Sequence, residues 1–226
     1  MMTVAISFTA GWCDRKTFDL LQKCIESTKQ IPDREILLCT DVQSLPFESD
    51  ARILHRPKAT LSAKNNILFQ EAKNDIIVYI RDYMLLTPNW FEGMEKFGWD
   101  WDMCMTRVVN KDGSRFRDWC VWDHPDFGHP WTQSDKPWPQ GIQRRGRPGL
   151  VPYDFSDTSG HYISGAYFLG KRQFLLDNPF DERLDFGQAE DIEFSDRVKY
   201  KWNYKMNINS VVQLQIQKDR ILQEYK

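Results

Sequence analysis

A chain of 226 residues with 41% hydrophobic and 27% charged residues is long enough to bury a real core and has an ordinary globular composition. A formal net charge of −2 argues against a dedicated nucleic-acid binder. No stretch reaches the roughly 20 apolar residues of a membrane span, and the start, MMTVAISFTAGWCDRKTF, lacks a basic-then-apolar leader, so the expected compartment is the cytoplasm.

Taken in chain order, VAISFTA (residues 4–10) is an apolar run of strand length. RKTFDLLQKCIEST then places Phe18, Leu21, Ile25 and Thr28 at helical spacing. REILLCTD (34–41) and ARILHR (51–56) read as a second and third strand. SAKNNILFQEAKND (62–75) reads as a helix with Ile67, Leu68 and Ala72 on one side. IIVYI (76–80) is apolar on both faces, the mark of a central parallel strand covered by helices. This alternation predicts an α/β fold with right-handed crossovers.

Thr87 then reads as an N-cap, with Pro88 at the first helical position and Trp90, Met94 and Phe97 on one face. DMCMTRVVNKDGSRFRDWCVW contains two strand-like runs joined by a turn at Asp112-Gly113. Residues 124–160 are rich in Pro, Gly, Trp, His and Arg with little periodicity, which reads as functional loop. YISGAYFLGKRQFLL gives a strand and a short helix, and EDIEFSDRVKYKW a helix with Phe194, Val198 and Trp202 at i, i+4 spacing. Five widely spaced cysteines (Cys13, Cys24, Cys39, Cys104, Cys120) without a C-x-x-C pair read as reduced, buried thiols.

Ligands of an open parallel sheet bind beyond the carboxyl ends of its strands. Here those ends carry Thr9 and Ala10, Asp41, His55 and Arg56, and Arg81-Asp82-Tyr83. Neither G-x-G-x-x-G nor a P-loop follows the first strand, which weighs against dinucleotide oxidoreductases and P-loop enzymes. FDERLDFGQAEDIEFSDRV (180–198) packs nine charged residues into nineteen around Gly187. On its own, Glu190-Asp191 is better explained by the helix dipole than by chemistry.

Two blocks change that balance. SAKNNILFQEAKNDIIVYIRDYMLLTPNWFEGM resembles the segment of GT-A-fold glycosyltransferases that leads into their D-x-D motif. YISGAYFLGKRQFLLDNPFDERLDFGQAEDIEFSDRV resembles the acceptor-side signature of the same superfamily, with a pattern like family 2 and the β-1,4-galactosyltransferase-like enzymes. The resemblance implies one GT-A-type domain, with a mostly parallel Rossmann-like sheet flanked by helices and a small second sheet. Residues 1 to about 100 would bind the nucleotide-sugar, and about 101–226 the acceptor. The implied activity is inverting transfer from a nucleotide-sugar, a UDP-sugar, to a hydroxyl of a saccharide or glycoconjugate.

Such a reaction needs a carboxylate to take the acceptor proton and positive charge to meet the leaving diphosphate. The resemblance makes Asp191 the base, Glu190 a holder of an acceptor hydroxyl, and Gly187 the place where backbone passes close to sugar. Thr9, Asp41, Lys64, Asn65, Arg81 and Asp82 fall on the donor side. Trp119, Trp122, Trp131 and Trp138 offer aromatic faces for an acceptor, or core. The family's acidic triplet is here Arg81-Asp82-Tyr83, and SVVQLQIQ supplies no histidine near Val212–Gln215. Either Asp82 holds Mn2+ or Mg2+ through mostly water and phosphate, or arginines neutralise the diphosphate, from Arg81 and from Arg144, Arg145 and Arg147 of QRRGRP. His161 reads as a core histidine more readily than as a substitute ligand. Two alternatives stand beside this reading. One is a non-catalytic saccharide- or nucleotide-binding domain with a decayed D-x-D. The other is a sugar nucleotidyltransferase, which the missing glycine-rich basic loop after the first strand disfavours.

Overall fold

A computed structural model describes residues 1–10, 15–122, 149–218 and 223–224. Its first half follows the strand–helix alternation. β1 (Met2–Ser7), α1 (Arg15–Ser27), β2 (Glu35–Thr40), β3 (Arg52–His55), α2 (Leu61–Glu71) and β4 (Ile76–Arg81) form one parallel unit. Every residue of β1 is buried, as a strand with helices on both faces requires. Thr60 caps α2 by accepting the Ala63 N–H at 3.2 Å.

β5 (Met84–Leu86), α3 (Trp90–Phe97), β6 (Met103–Val109), β10 (Tyr167–Lys171), α4 (Arg172–Asp177), α5 (Glu190–Val198) and β11 (Tyr204–Leu214) complete the main body. They extend the sheet to eight strands in the order β3-β2-β1-β4-β10-β6-β11-β5. β10 runs antiparallel to β4 and β6, and β5 antiparallel to β11; the other pairings are parallel. A smaller sheet holds β7 (Cys120–Val121), β8 (Gly149–Leu150), β9 (His161–Tyr162) and β12 (Gln223–Glu224). The result is the expected α/β architecture, a mostly parallel sheet with a small second sheet. One hydrophobic core runs through both halves, from Val4 and Ile80 to Phe194 and Val212. Cys24, Cys39, Cys104 and Cys120 are buried free thiols, and Cys13 lies outside the described residues. Among the described residues no helix is long and apolar enough to cross a membrane.

Three local expectations change. Thr87 does not cap α3: its hydroxyl donates to the Val211 carbonyl at 2.8 Å, tying the turn to β11. Thr87-Pro88 instead forms a turn closed by the Trp90 N–H on the Thr87 carbonyl, and α3 starts after Asn89 in a left-handed conformation (φ 66°). α5 stops at Val198, and Trp202 leaves the helix to pack on the Tyr204 ring, centroids 4.4 Å apart. α2 ends at Glu71, because Ala72 turns to extended backbone and the chain descends into β4.

Candidate active site

The segment before α5 is fastened to the start of α2. Asn66 grips Phe180 through both amide atoms, accepting its N–H and donating to its carbonyl, each at 2.9 Å. The Thr60 hydroxyl donates to the Glu182 carbonyl at 3.0 Å, and the Leu61 N–H to Asp185 Oδ1 at 2.9 Å. These bonds hold the approach to α5 against α2, and the first turn of α5 lies near enough to the end of β4 for Glu190 to feel the charge of Arg81. Gly187 sits in this segment with φ 78°, so glycine meets a backbone demand, and the space where a Cβ would project is open.

Glu190 and Asp191 form that first turn, and they are not on a solvated face. Glu190 is buried, and Asp191 Oδ2 accepts the Gly165 N–H at 2.9 Å. Asp191 Oδ1 accepts the Ile192 N–H, also at 2.9 Å. Burial raises both carboxyls above the ordinary range, but the two are treated differently. Asp191 has backbone donors and the Arg117 guanidinium to favour its charge. Glu190 is pushed up to about 8, by burial first and then by the negative Asp191. Burial and the neighbouring Asp191 thus favour a proton on Glu190, while backbone donors and Arg117 favour charge on Asp191.

This has a measurable consequence. An acid with a folded-state pKa above its unfolded value lends stability that is complete below the unfolded pKa. That stability is lost as pH rises through the folded pKa. Wild-type protein should thus lose stability between about pH 4.5 and pH 8 on account of Glu190. Glu190→Gln should melt on the order of 5 °C higher than wild type at pH 8.5 and close to it at pH 5. Parallel melting profiles would show that Glu190 does not carry the proton.

Beyond β1, Lys64 is buried and donates to the Phe8 carbonyl at 3.0 Å and to Thr9 Oγ1 at 2.8 Å. Asp41 Oδ1 accepts the Ala10 N–H at 2.7 Å, and Asp41 is the main charge opposing the downward push of burial on the Lys64 ammonium. His55 Nε2 lies 3.1 Å from the Asp41 carbonyl. Thr9, Asp41 and Lys64 thus meet beyond β1 and β2. Asn65 is buried beside them on α2, and its Oδ1 has no hydrogen-bond partner among the described residues.

At the end of β4, Asp82 is buried with Arg81 Nε 3.8 Å from its Oδ1. Burial lifts the Asp82 carboxyl, and Arg81 and Lys218 oppose the lift. Gln215 stands where the resemblance called for a histidine, but its amide is committed to backbone: Nε2 donates to the Asp82 and Leu20 carbonyls at 3.1 and 2.8 Å. Lys218, three residues on, lies over the Tyr83 ring at 3.9 Å. Its ammonium falls to about 8, through burial first and then repulsion by Arg81 and Arg117, with Asp82 opposing. Lys218 and Arg117 had not been singled out, because nothing local in sequence marks them.

Beside α5, Trp122 is half-buried and meets Tyr162 edge-on, centroids 5.9 Å apart, with Ile192 of α5 on the same small cluster. Exposed Phe186 lies 5.5 Å from the Arg81 guanidinium, a further aromatic that sequence reading passed over. Trp119 is core: it is buried and its indole N–H donates to the Phe155 carbonyl at 3.0 Å. His161 is buried between Trp119 and Phe155, at 4.1 and 5.7 Å between ring centroids, so it is the core histidine and not a ligand-side group. Trp131, Trp138, Arg144, Arg145 and Arg147 lie outside the described residues.

No protein-family model and no curated protein matches the sequence. Solved structures do. Over 97% of its length the chain is similar to GalNAc-T7 in a crystal structure with UDP, GalNAc and Mn2+, at a TM-score of 0.61 and 16% identity. It is also similar to TarS 1-349 of S. aureus (TM-score 0.54, 11% identity, 94% of this chain) and to HddC of Yersinia pseudotuberculosis (0.53, 13%, 94%). The chain spans 44% of the GalNAc-T7 chain, 60% of TarS 1-349 and 92% of HddC. At these identities the likeness is one of fold, and it does not single out family 2. By topology and by these neighbours, the chain has a GT-A-like glycosyltransferase fold.

Proposed function

We propose that this chain transfers a sugar from a nucleotide-sugar to a saccharide hydroxyl with inversion. The observation that carries the reading is the meeting of Asp191, held by the Gly165 and Ile192 N–H groups and near Arg117, with Glu190 beside Arg81 at the end of β4. In the proposed reaction the acceptor oxygen attacks the anomeric carbon while the bond from that carbon to the diphosphate oxygen breaks. The hydroxyl proton passes to Asp191, and the products are a glycoside and a nucleoside diphosphate. Neutral Glu190 donates a hydrogen bond to a sugar hydroxyl, and Trp122 and the open backbone at Gly187 face the acceptor. Thr9, Asp41, Lys64 and Asn65 hold the nucleotide, with residues 1 to about 100 as the donor half and the remainder as the acceptor half of one domain. UDP is the nucleotide to test first, being the one present with GalNAc-T7.

The GalNAc-T7 structure also contains Mn2+, and the fit of such an ion here rests on the donors present. Mn2+ and Mg2+ want several oxygen ligands. Asp82 is one carboxylate, and it already faces Arg81 and Lys218. Among the described residues no three His, Cys, Asp or Glu side chains converge in a manner that would hold a metal. The described residues do not fit a divalent cation, and the reaction above passes no step through one.

The reading is tested by thermal-shift titration with nucleoside diphosphates and nucleotide-sugars, followed by transfer assays with the one that stabilises the protein. Asp41→Ala should weaken nucleoside diphosphate binding by about 5- to 150-fold, the worth of lost hydrogen bonds in a desolvated pocket. Unchanged affinity would mean that the donor pocket lies elsewhere. Nucleotide binding without transfer to any saccharide would favour a binding domain over an enzyme.

A further inference from the structure

Arg81 and Arg117 each carry a buried Nε without a hydrogen-bond partner among the described residues. Such donors are costly to leave unmade, and more so on a charged group. The side chain of Arg81 is only 14% exposed, and its nearest carboxylate, Asp82, is at 3.8 Å, beyond hydrogen-bond reach. Lys218 and Arg81 both lie near the Tyr83 ring, at 3.9 and 6.0 Å from its centroid. Arg81 and Arg117 both repel the Lys218 ammonium, and Asp82 opposes them there.

The positions are held by the fold. The Gln215 N–H donates to the Tyr83 carbonyl at 2.8 Å, and the Lys218 N–H to Asn110 Oδ1 at 3.1 Å. Together with the Gln215 amide on Asp82, these bonds pin the segment after β11 against the end of β4. Three neighbouring cations, two of them with a buried Nε that has no partner among the described residues, are complementary to a compact polyanion.

We propose that Arg81, Arg117 and Lys218 hold the donor diphosphate in place of a divalent metal ion, so that transfer proceeds without one. This inference rests on the glycosyl-transfer reading of the cleft. Asp82 then serves as a counter-ion that sets the two nearest cations and not as a metal ligand. The positive charge that meets the negative charge developing on the leaving diphosphate comes from fixed side chains, which need no reorganisation as the bond breaks.

The test is calorimetric titration of the full chain with UDP, GDP, CDP and ADP, each in EDTA and in Mn2+. At least one should bind with the same affinity in both. Lys218→Met and Arg81→Gln should each weaken that binding roughly 10- to 100-fold, while leaving the affinity for the matching nucleoside unchanged. Lys218 lies on the last stretch after β11, so its variant folds even if Arg81→Gln does not. Binding that appears only with Mn2+ would overturn the inference and leave the glycosyl-transfer reading standing. Diphosphate affinity unmoved by Lys218→Met would do the same. Binding of no nucleoside diphosphate under either condition would overturn both.

Discussion

Asp191→Asn should lower the rate of sugar transfer by roughly 10² to 10⁴ while leaving donor affinity nearly unchanged. The amide keeps the size of the carboxyl, and its oxygen can still accept the Gly165 N–H that the acid accepts at 2.9 Å. What it loses is the ability to take a proton. Glu190 cannot step in at neutral pH, because burial and the charge of Asp191 keep its proton on up to about 8. If the pair served only the helix dipole, the same substitution would cost a few tenths of a kcal/mol and leave transfer intact. Initial rates and melting temperature measured on one preparation separate these outcomes. Near-wild-type transfer would sink the inverting mechanism, whatever the melting curve shows. Donor hydrolysis without acceptor is a poorer readout, since water can enter an open site without using the same base.

The residues that were legible in sequence are those whose position follows from one strand or helix. IIVYI announces a buried parallel strand, so Arg81-Asp82 had to stand at its carboxyl end. Asp41 and Thr9 follow in the same way from β2 and β1. The acid pair had to open a helix. Its burial could not be read, because it depends on Asn66, Thr60 and Leu61 holding a segment more than a hundred residues away in sequence. Lys218 was illegible for a similar reason. YKMNINSVVQL mixes polar and apolar residues without a clean period, and the pairing of β11 slips between Asn207 and Val211. Only the parallel pairing with β6 and the antiparallel one with β5 carry this strand back to the site. The Thr87 cap failed because a nearby carbonyl on β11 competes for the hydroxyl, and local sequence cannot show it.

The largest loss of stability should come from Asp118→Ala, a residue remote from any motif. Asp118 is fully buried where β6 hands over to the small sheet. Its carboxylate accepts the Val108 N–H at 3.1 Å, the Trp119 N–H at 2.6 Å, Arg115 Nε at 2.7 Å and the Tyr153 hydroxyl at 2.9 Å. Arg115 in turn lies over the Tyr153 ring at 4.1 Å. Alanine would leave two backbone donors, a phenol and a guanidinium without their acceptor, at about 3–5 kcal/mol. For a chain of this length that is a fall of roughly 10 °C in melting temperature. Asp118→Asn should fall between, since its amide keeps an acceptor oxygen but turns a second donor group toward donors already there. A change within about 2 °C for alanine would show that the surroundings repack and that the hub holds little. The effect should reach function as well. Arg117 is the residue next to this hub, so at temperatures where Asp118→Ala stays folded its diphosphate affinity should drop while nucleoside affinity holds. Equal losses of both would place the damage in the nucleotide pocket and uncouple Asp118 from the cations.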